Sequence, residues 1–166
     1  MKPIALIGMM GSGKTTIGKQ LAKEIDLPWY DSDLFIEQST HETINDIFST
    51  KGEAYFRTLE TKALKTLLTT PCVLSTGGGI ITTKENREQL KNNAHVIFLE
   101  TSIETLATRI DDQNRPLLQN QPVEQKLRTL YDKRESLYRE CAHYTIKTDD
   151  KTVEEIVALI KQKLSQ

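Results

Sequence analysis

Gly8-Met9-Met10-Gly11-Ser12-Gly13-Lys14-Thr15 satisfies the pattern G-x-x-x-x-G-K-[ST], and it lies close behind the initiating methionine. Glycines at these positions let the backbone approach an anion closely, so that successive N–H groups form a nest for phosphates. In such a nest Lys14 reaches the β- and γ-phosphates, and the Thr15 hydroxyl is placed to ligate Mg²⁺. The pattern requires a strand before it and a helix after it. Pro3-Ile4-Ala5-Leu6-Ile7 is a short apolar run suited to a buried parallel strand. Ile17, Leu21 and Ile25 then recur at helical spacing with Lys19, Gln20, Lys23 and Glu24 between them. The loop therefore feeds a helix N-terminus, whose dipole favours anions. This is the signature of nucleoside triphosphate binding.

At 166 residues with a hydrophobic fraction of 37%, the chain fits one compact domain that buries on the order of 70% of its unfolded surface. A net charge of −1 gives no broad attraction for nucleic acid. No run approaches the roughly 18 to 20 apolar residues that span a bilayer, and no basic segment with a long apolar core opens the chain. The expectation is a cytoplasmic monomer that works on small molecules, with neither nucleic acid nor membrane as partner. Cys72 and Cys141 lack metal-type spacing and read as thiols, Cys72 as a small core residue. His41, His95 and His143 are scattered and read as structural or surface residues.

Strand and helix signals alternate along the rest of the chain. Pro28-Trp29-Tyr30 reads as a brief strand, and a helix is expected from about Asp33. Thr43-Ile44-Asn45-Asp46 resembles a capping box opening a helical stretch that stops near Gly52, and a longer amphipathic helix follows until Pro71. Cys72-Val73-Leu74-Ser75 reads as a third strand running into Gly77-Gly78-Gly79, a segment of special backbone. Residues 83–90 suit a helix and His95 to Leu99 a fourth strand, after which Ser102 caps a helix ending at Ile110. Residues 144–147 form a weaker fifth strand, and Val153, Ile156, Val157, Ile160 and Leu164 mark a closing helix. The expected fold is α/β, three layers with a central five-stranded parallel sheet and ligands at the carboxyl ends of the strands.

Four further clusters stand at those strand ends: Asp31-Ser32-Asp33, Arg57 behind Gly52, the triple glycine, and Arg115 and Arg134 flanking a polar stretch. With the phosphate loop, Phe56-Arg57-Thr58-Leu59-Glu60, Arg115-Pro116-Leu117-Leu118 and Lys133-Arg134-Glu135-Ser136-Leu137-Tyr138, they resemble shikimate kinase, a family of P-loop kinases. The resemblance runs over essentially the whole chain. It implies transfer of the γ-phosphoryl group of ATP to the 3-hydroxyl of shikimate, on the route to chorismate and the aromatic amino acids. Shikimate is a carboxylated triol, so its pocket needs cationic forks and hydroxyl acceptors.

The resemblance assigns carboxylate binding to Arg57 and Arg134, hydroxyl binding to Asp33, and backbone contacts to Gly77, Gly78 and Gly79. It places nucleotide on Gly11, Ser12, Gly13, Lys14, Thr15, Thr16, Arg109 and Arg115, and Mg²⁺ on Thr15 and Asp31. Catalysis falls to Lys14, Asp33 and Arg115. Asp33 either accepts the hydroxyl proton or orients the hydroxyl, and one of the two aspartates can instead be a helix N-cap. Arg57 and Glu60, one turn apart, are either a held guanidinium or an ordinary surface pair. Arg109 either stacks on adenine or complements a helix dipole. Residues 109–121 are expected to form a mobile lid carrying Arg115, and about 33–60 the acceptor-side helical region. Lys133 and Arg139 read as solvated partners of Glu135 and Glu140.

Two other readings compete. A P-loop kinase for another small acceptor, such as gluconate or a nucleoside monophosphate, fits the loop, although two arginines favour a carboxylate. A guanine-nucleotide switch usually carries N-K-x-D, which does not occur in the chain.

Overall fold

A computed structural model describes residues 1–110 and 122–166 of the chain. Ile4–Ile7 forms β1, Trp29–Asp31 β2, Val73–Ser75 β3, His95–Glu100 β4 and Tyr144–Lys147 β5. The strands pair in the order β2-β3-β1-β4-β5, every pairing parallel. Successive side chains of a strand face opposite sides of its sheet, which explains the unbroken apolar runs of the central strands. Ala5 and Ile7 join one core cluster while Ile4 and Leu6 join another, and Val96 and Phe98 split from Ile97 and Leu99 in the same way.

The two clusters are the two faces of the sheet. One is covered by α1 (Lys14–Ile25) and α7 (Val153–Leu164), through Ile17, Leu21, Ile156, Val157 and Ile160. The other is covered by the end of α3 (Ile44–Leu67), by α4 (Lys84–Asn93), by α5 (Ile103–Ile110) and by α6 (Val123–Cys141). A smaller cluster, Ile36, Ile47, Phe56 and Ala63, packs α2 (Ser32–Thr40) on α3. This is the expected three-layer α/β/α arrangement. Among the described residues no helix is long and apolar enough to cross a membrane.

The caps follow local chemistry. Thr43 Oγ1 accepts from Asp46 N at 3.1 Å to start α3, and Thr105 N donates to Ser102 Oγ at 3.2 Å at the start of α5. Thr152 and Glu155 form a reciprocal capping box on α7. The break expected near Gly52 is present: φ 87° and ψ 168° interrupt an otherwise continuous α3. Helix α2 begins at Ser32, one residue early, because Asp31 itself is the cap, its Oδ1 accepting from Leu34 N at 3.0 Å. A 3-10 turn over Ile80–Thr82, too short for any periodicity to announce, joins the triple glycine to α4. Arg139 pairs with Glu135, as expected, and also with Glu100, while Glu140 pairs with Arg87.

Gly52 sits in a backbone region that only glycine enters readily, yet a Cβ there would meet nothing within 4 Å. Gly52→Ala therefore isolates the dihedral cost. It should destabilise the fold by about 1 to 3 kcal/mol in denaturant titration, and Gly52→Asn should not recover the loss, because ψ 168° lies outside the left-handed helical well that asparagine tolerates. An unchanged midpoint for Gly52→Ala would contradict this account of the break.

Candidate active site

The order of the strands reverses at β1, and a crevice opens at the carboxyl ends beside such a point. Here it is a cleft of about 490 Å³ lined by the phosphate loop, Asp31, Asp33, Thr76, Gly77, Gly78, Arg109, Thr148 and Lys151. Gly13, at φ 98°, turns the chain into α1, and no side chain caps that helix. The N–H groups of its first turn are thus open to an anion. Lys14 is buried, its Nζ donating to Gly8 O at 2.6 Å and Met9 O at 2.9 Å. Ser12 is buried, while Thr15 and Thr16 are exposed at the mouth of the cleft.

The tail of β3 forms the opposite wall. Gly77, Gly78 and Gly79, read from the sequence as a segment of special backbone, have no positive φ. At Gly77 and Gly79 the requirement is clearance. A Cβ built on Gly77 would stand 2.7 Å from Asp33 Oδ1, and one on Gly79 would collide with Arg57 Nη2. One on Gly78 would lie 3.4 Å from Met10 N and 3.6 Å from Arg134 Nη1. The turn therefore touches the phosphate loop, Asp33, Arg57 and Arg134 together. Ser32 Oγ accepts from Gly77 N at 3.0 Å, Tyr138 Oη donates to Gly78 O at 2.6 Å, and Asn86 Nδ2 donates to Ile80 O at 3.1 Å.

Arg57 and Glu60 are not a surface pair. Arg57 Nη1 meets Glu60 Oε1 at 2.8 Å, and Glu60 is fully buried, while Arg57 also reaches the exposed Glu53 at 3.2 Å. Burial raises the Glu60 pKa, opposed by the Arg57 charge and hydrogen bond. Asp33 is pushed up to about 6, first by burial and then by the neighbouring Asp31 charge, against the pull of Lys14 and Arg57. Asp33 Oδ1, Glu60 Oε2 and Arg134 Nη1 are buried and have no hydrogen-bond partner among the described residues. Buried polar atoms are nearly always paired, so three unpaired ones around one glycine turn mark a place built for a polar ligand.

Of the residues singled out from the sequence, the described structure gathers Gly11, Ser12, Gly13, Lys14, Thr15, Thr16, Asp31, Asp33, Gly77, Gly78 and Arg109 around the cleft. Arg57, Gly79 and Arg134 adjoin it through the glycine turn. Arg109 donates to Gly11 O at 2.8 Å, so it braces the loop from the last turn of α5. Arg115 lies outside the described residues, as does most of 109–121. Sequence reasoning missed Ser75, whose Oγ donates to Lys14 O at 2.6 Å and accepts from Trp29 Nε1 at 2.9 Å. A serine at the end of β3 was legible, but its link across 61 residues was not. It also missed Asp149, which accepts from Ser102 N, Ser102 Oγ and Thr105 Oγ1 and ties the loop after β5 to α5.

Asp33 carries a titration that the unfolded chain does not share. Its raised pKa means the folded state holds a proton more tightly, so its contribution to stability is complete below about pH 4 and is lost as pH rises through about 6. Asp33→Asn removes that loss. The stability of the variant relative to the parent should therefore climb between about pH 4 and pH 6 in parallel denaturation series. A pH-independent difference would show that Asp33 has its ordinary pKa.

A family model for shikimate kinase matches residues 10–165. The shikimate kinase of Acinetobacter baumannii (strain AYE) is 47% identical over 161 residues, covering 96% of this chain and 89% of that protein. The shikimate kinase of Enterococcus faecalis (strain ATCC 700802 / V583) is 42% identical over 168 residues, with both chains fully covered. Among solved structures, shikimate kinase from Acinetobacter baumannii in complex with shikimate superposes with a TM-score of 0.94 at 45% identity, covering 99% of this chain and 93% of that one. The chain belongs to the shikimate kinase family.

Proposed function

We propose that this chain transfers the γ-phosphoryl group of ATP to the 3-hydroxyl of shikimate, releasing ADP and shikimate 3-phosphate. The observation that carries the reading is the meeting of two unlike half-sites across the turn Gly77 to Gly79: the phosphate loop on one side, and Arg57, Arg134 and Asp33 on the other. The curated relatives bear that activity in their names, and a structural relative holds shikimate. A free donor in Arg134 and free acceptors in Asp33 and Glu60 suit a ligand carrying both a carboxylate and hydroxyl groups.

In this reading Lys14 leaves its carbonyl partners for the β- and γ-phosphates, and the first turn of α1 holds the phosphate oxygens. Arg57, kept in place by Glu60, and Arg134 grip the carboxylate of the acceptor. Asp33 then faces the reacting hydroxyl and accepts its proton or orients it as the oxygen attacks phosphorus in line with the departing ADP oxygen. Arg115 supplies positive charge to the transferring group, residues 109–121 act as a lid that excludes water, and about 33–60 serve the acceptor within a single domain of 1–166. Arg109 sits on the nucleotide side.

Thr15 and Asp31 would hold Mg²⁺. They fit it as hard oxygen donors lining the same cleft. Among the described residues no cluster of three or more His, Cys, Asp or Glu could hold a metal, which suits an ion that takes most of its ligands from phosphates and water. Asp31 keeps one oxygen as the cap of α2, so cap and metal support are compatible roles. When bound, the ion would neutralise charge shared between the β- and γ-phosphates. The expected setting is a cytoplasmic monomer.

The same paired arginines distinguish shikimate from a base-bearing acceptor. An ADP-release assay over shikimate, gluconate and nucleoside monophosphates should respond to shikimate. Arg134→Ala should raise the shikimate KM by about 10- to 100-fold, the weight of one or two charge-assisted hydrogen bonds, and leave the ATP KM near its parent value. No response to shikimate, or an unmoved shikimate KM in Arg134→Ala, would sink the acceptor assignment.

A further inference from the structure

Tyr138 belongs to a stretch that stood out in the sequence, yet the reaction as proposed gives it nothing to do. It is fully buried in α6, one helical turn beyond Arg134. Its ring lies nearly parallel to that of Phe98, with centroids 5.0 Å apart and planes inclined by 14°. A packing role would end there, and phenylalanine would serve it equally well. The hydroxyl goes further, donating to Gly78 O at 2.6 Å across 60 residues of chain. Gly78 is the residue of the glycine turn that lies between Met10 N of the phosphate loop and Arg134 Nη1.

We infer that Tyr138 is a positioning residue for the acceptor: its hydroxyl fastens the glycine turn to the helix that carries Arg134, and so sets the spacing between the carboxylate grip and the phosphate loop. The inference rests on the acceptor reading given above. Its physical basis is a division of labour among three clasps on one turn. Ser32 holds Gly77 N from α2 and Asn86 holds Ile80 O from α4, but of these clasps Tyr138 alone comes from the helix of Arg134. Without the hydroxyl, the glycine turn loses its direct polar tie to the helix of Arg134, and the Gly78 carbonyl loses a buried donor. Burial pushes the phenol up to about 12, with the Arg134 charge pulling the other way, so the donor stays protonated throughout the neutral range.

Tyr138→Phe keeps the ring and removes only the donor. Steady-state kinetics should show a shikimate KM raised by about fivefold to tenfold, the weight of one lost hydrogen bond to a positioned group, with the ATP KM unchanged. A merely structural tyrosine predicts a different pattern: a lower melting temperature and a smaller active fraction, hence a reduced kcat with both KM values at the parent level. That pattern would overturn the inference. The parent enzyme and Arg134→Ala, assayed beside it, separate the two claims. If the parent uses shikimate and Arg134→Ala raises its KM while Tyr138→Phe does not, the Tyr138 inference alone fails. If the parent does not use shikimate, the acceptor reading falls and this inference with it. A readout that does not depend on folding of Tyr138→Phe uses 3-fluorotyrosine in a chain whose Tyr30, Tyr55, Tyr131 and Tyr144 are replaced by phenylalanine. The remaining fluorine resonance should move on saturation with shikimate, and a resonance that shikimate leaves in place would overturn the inference.

Discussion

The site depends on clearance at Gly77 and Gly79. The turn after β3 meets Asp33, Arg57, Arg134 and the phosphate loop, and any side chain at Gly77 or Gly79 would strike Asp33 or Arg57. The glycines are therefore present for what they lack, with no positive φ among them to explain them otherwise. With no Cβ at Gly77 or Gly79, the tail of β3 passes between the phosphate loop and the side chains of Asp33, Arg57 and Arg134. Chemistry that must join a phosphate to a hydroxyl gains most of its rate from holding both in line, so a shared wall is the economical way to set their distance.

Charge in the site follows from the same closeness. Glu60 is buried against Arg57, and Asp33 is half-buried near Lys14 and Arg57, so each acid opposes a cation that the nucleotide or acceptor would otherwise meet unshielded. The pairs are incomplete: Asp33, Glu60 and Arg134 each keep one buried polar atom without a partner among the described residues. A protein optimised only for stability would pair or remove such atoms, because each costs about 1 to 3 kcal/mol. Their persistence in one small volume is intelligible if a ligand with complementary oxygens completes them. The lysine of the loop shows the opposite arrangement, its ammonium engaged by Gly8 and Met9 carbonyls until a better acceptor arrives.

Local signals carried much of this into the sequence. The apolar run before Gly8, the helical spacing after Thr15, the caps at Thr43 and Ser102 and the break at Gly52 all act over a few residues, and each has its counterpart in the fold. The resemblance supplied Arg57, Arg134 and Asp33, which no periodicity distinguishes from surface charge. What stayed hidden was long-range. The hydrogen bonds of Ser75 to Lys14, Ser32 to Gly77 and Tyr138 to Gly78 span 61, 45 and 60 residues, and nothing in the neighbourhood of each residue announces its partner. Helix α6 was legible only around its charged middle, because a buried Arg134 interrupts the apolar stripe of Leu127, Tyr138 and Cys141.

The central claim is that the missing side chain at Gly79 leaves room for Arg57, held by Glu60, where an acceptor carboxylate needs it. Gly79→Ala tests this most directly, because its φ of −98° suits alanine while the added Cβ would displace the flexible end of Arg57. Calorimetric titration of the purified variant with shikimate should show affinity weakened by about tenfold to a hundredfold, the weight of a lost charge-assisted contact, with ATP affinity unchanged. Shikimate affinity equal to that of the parent would contradict the account.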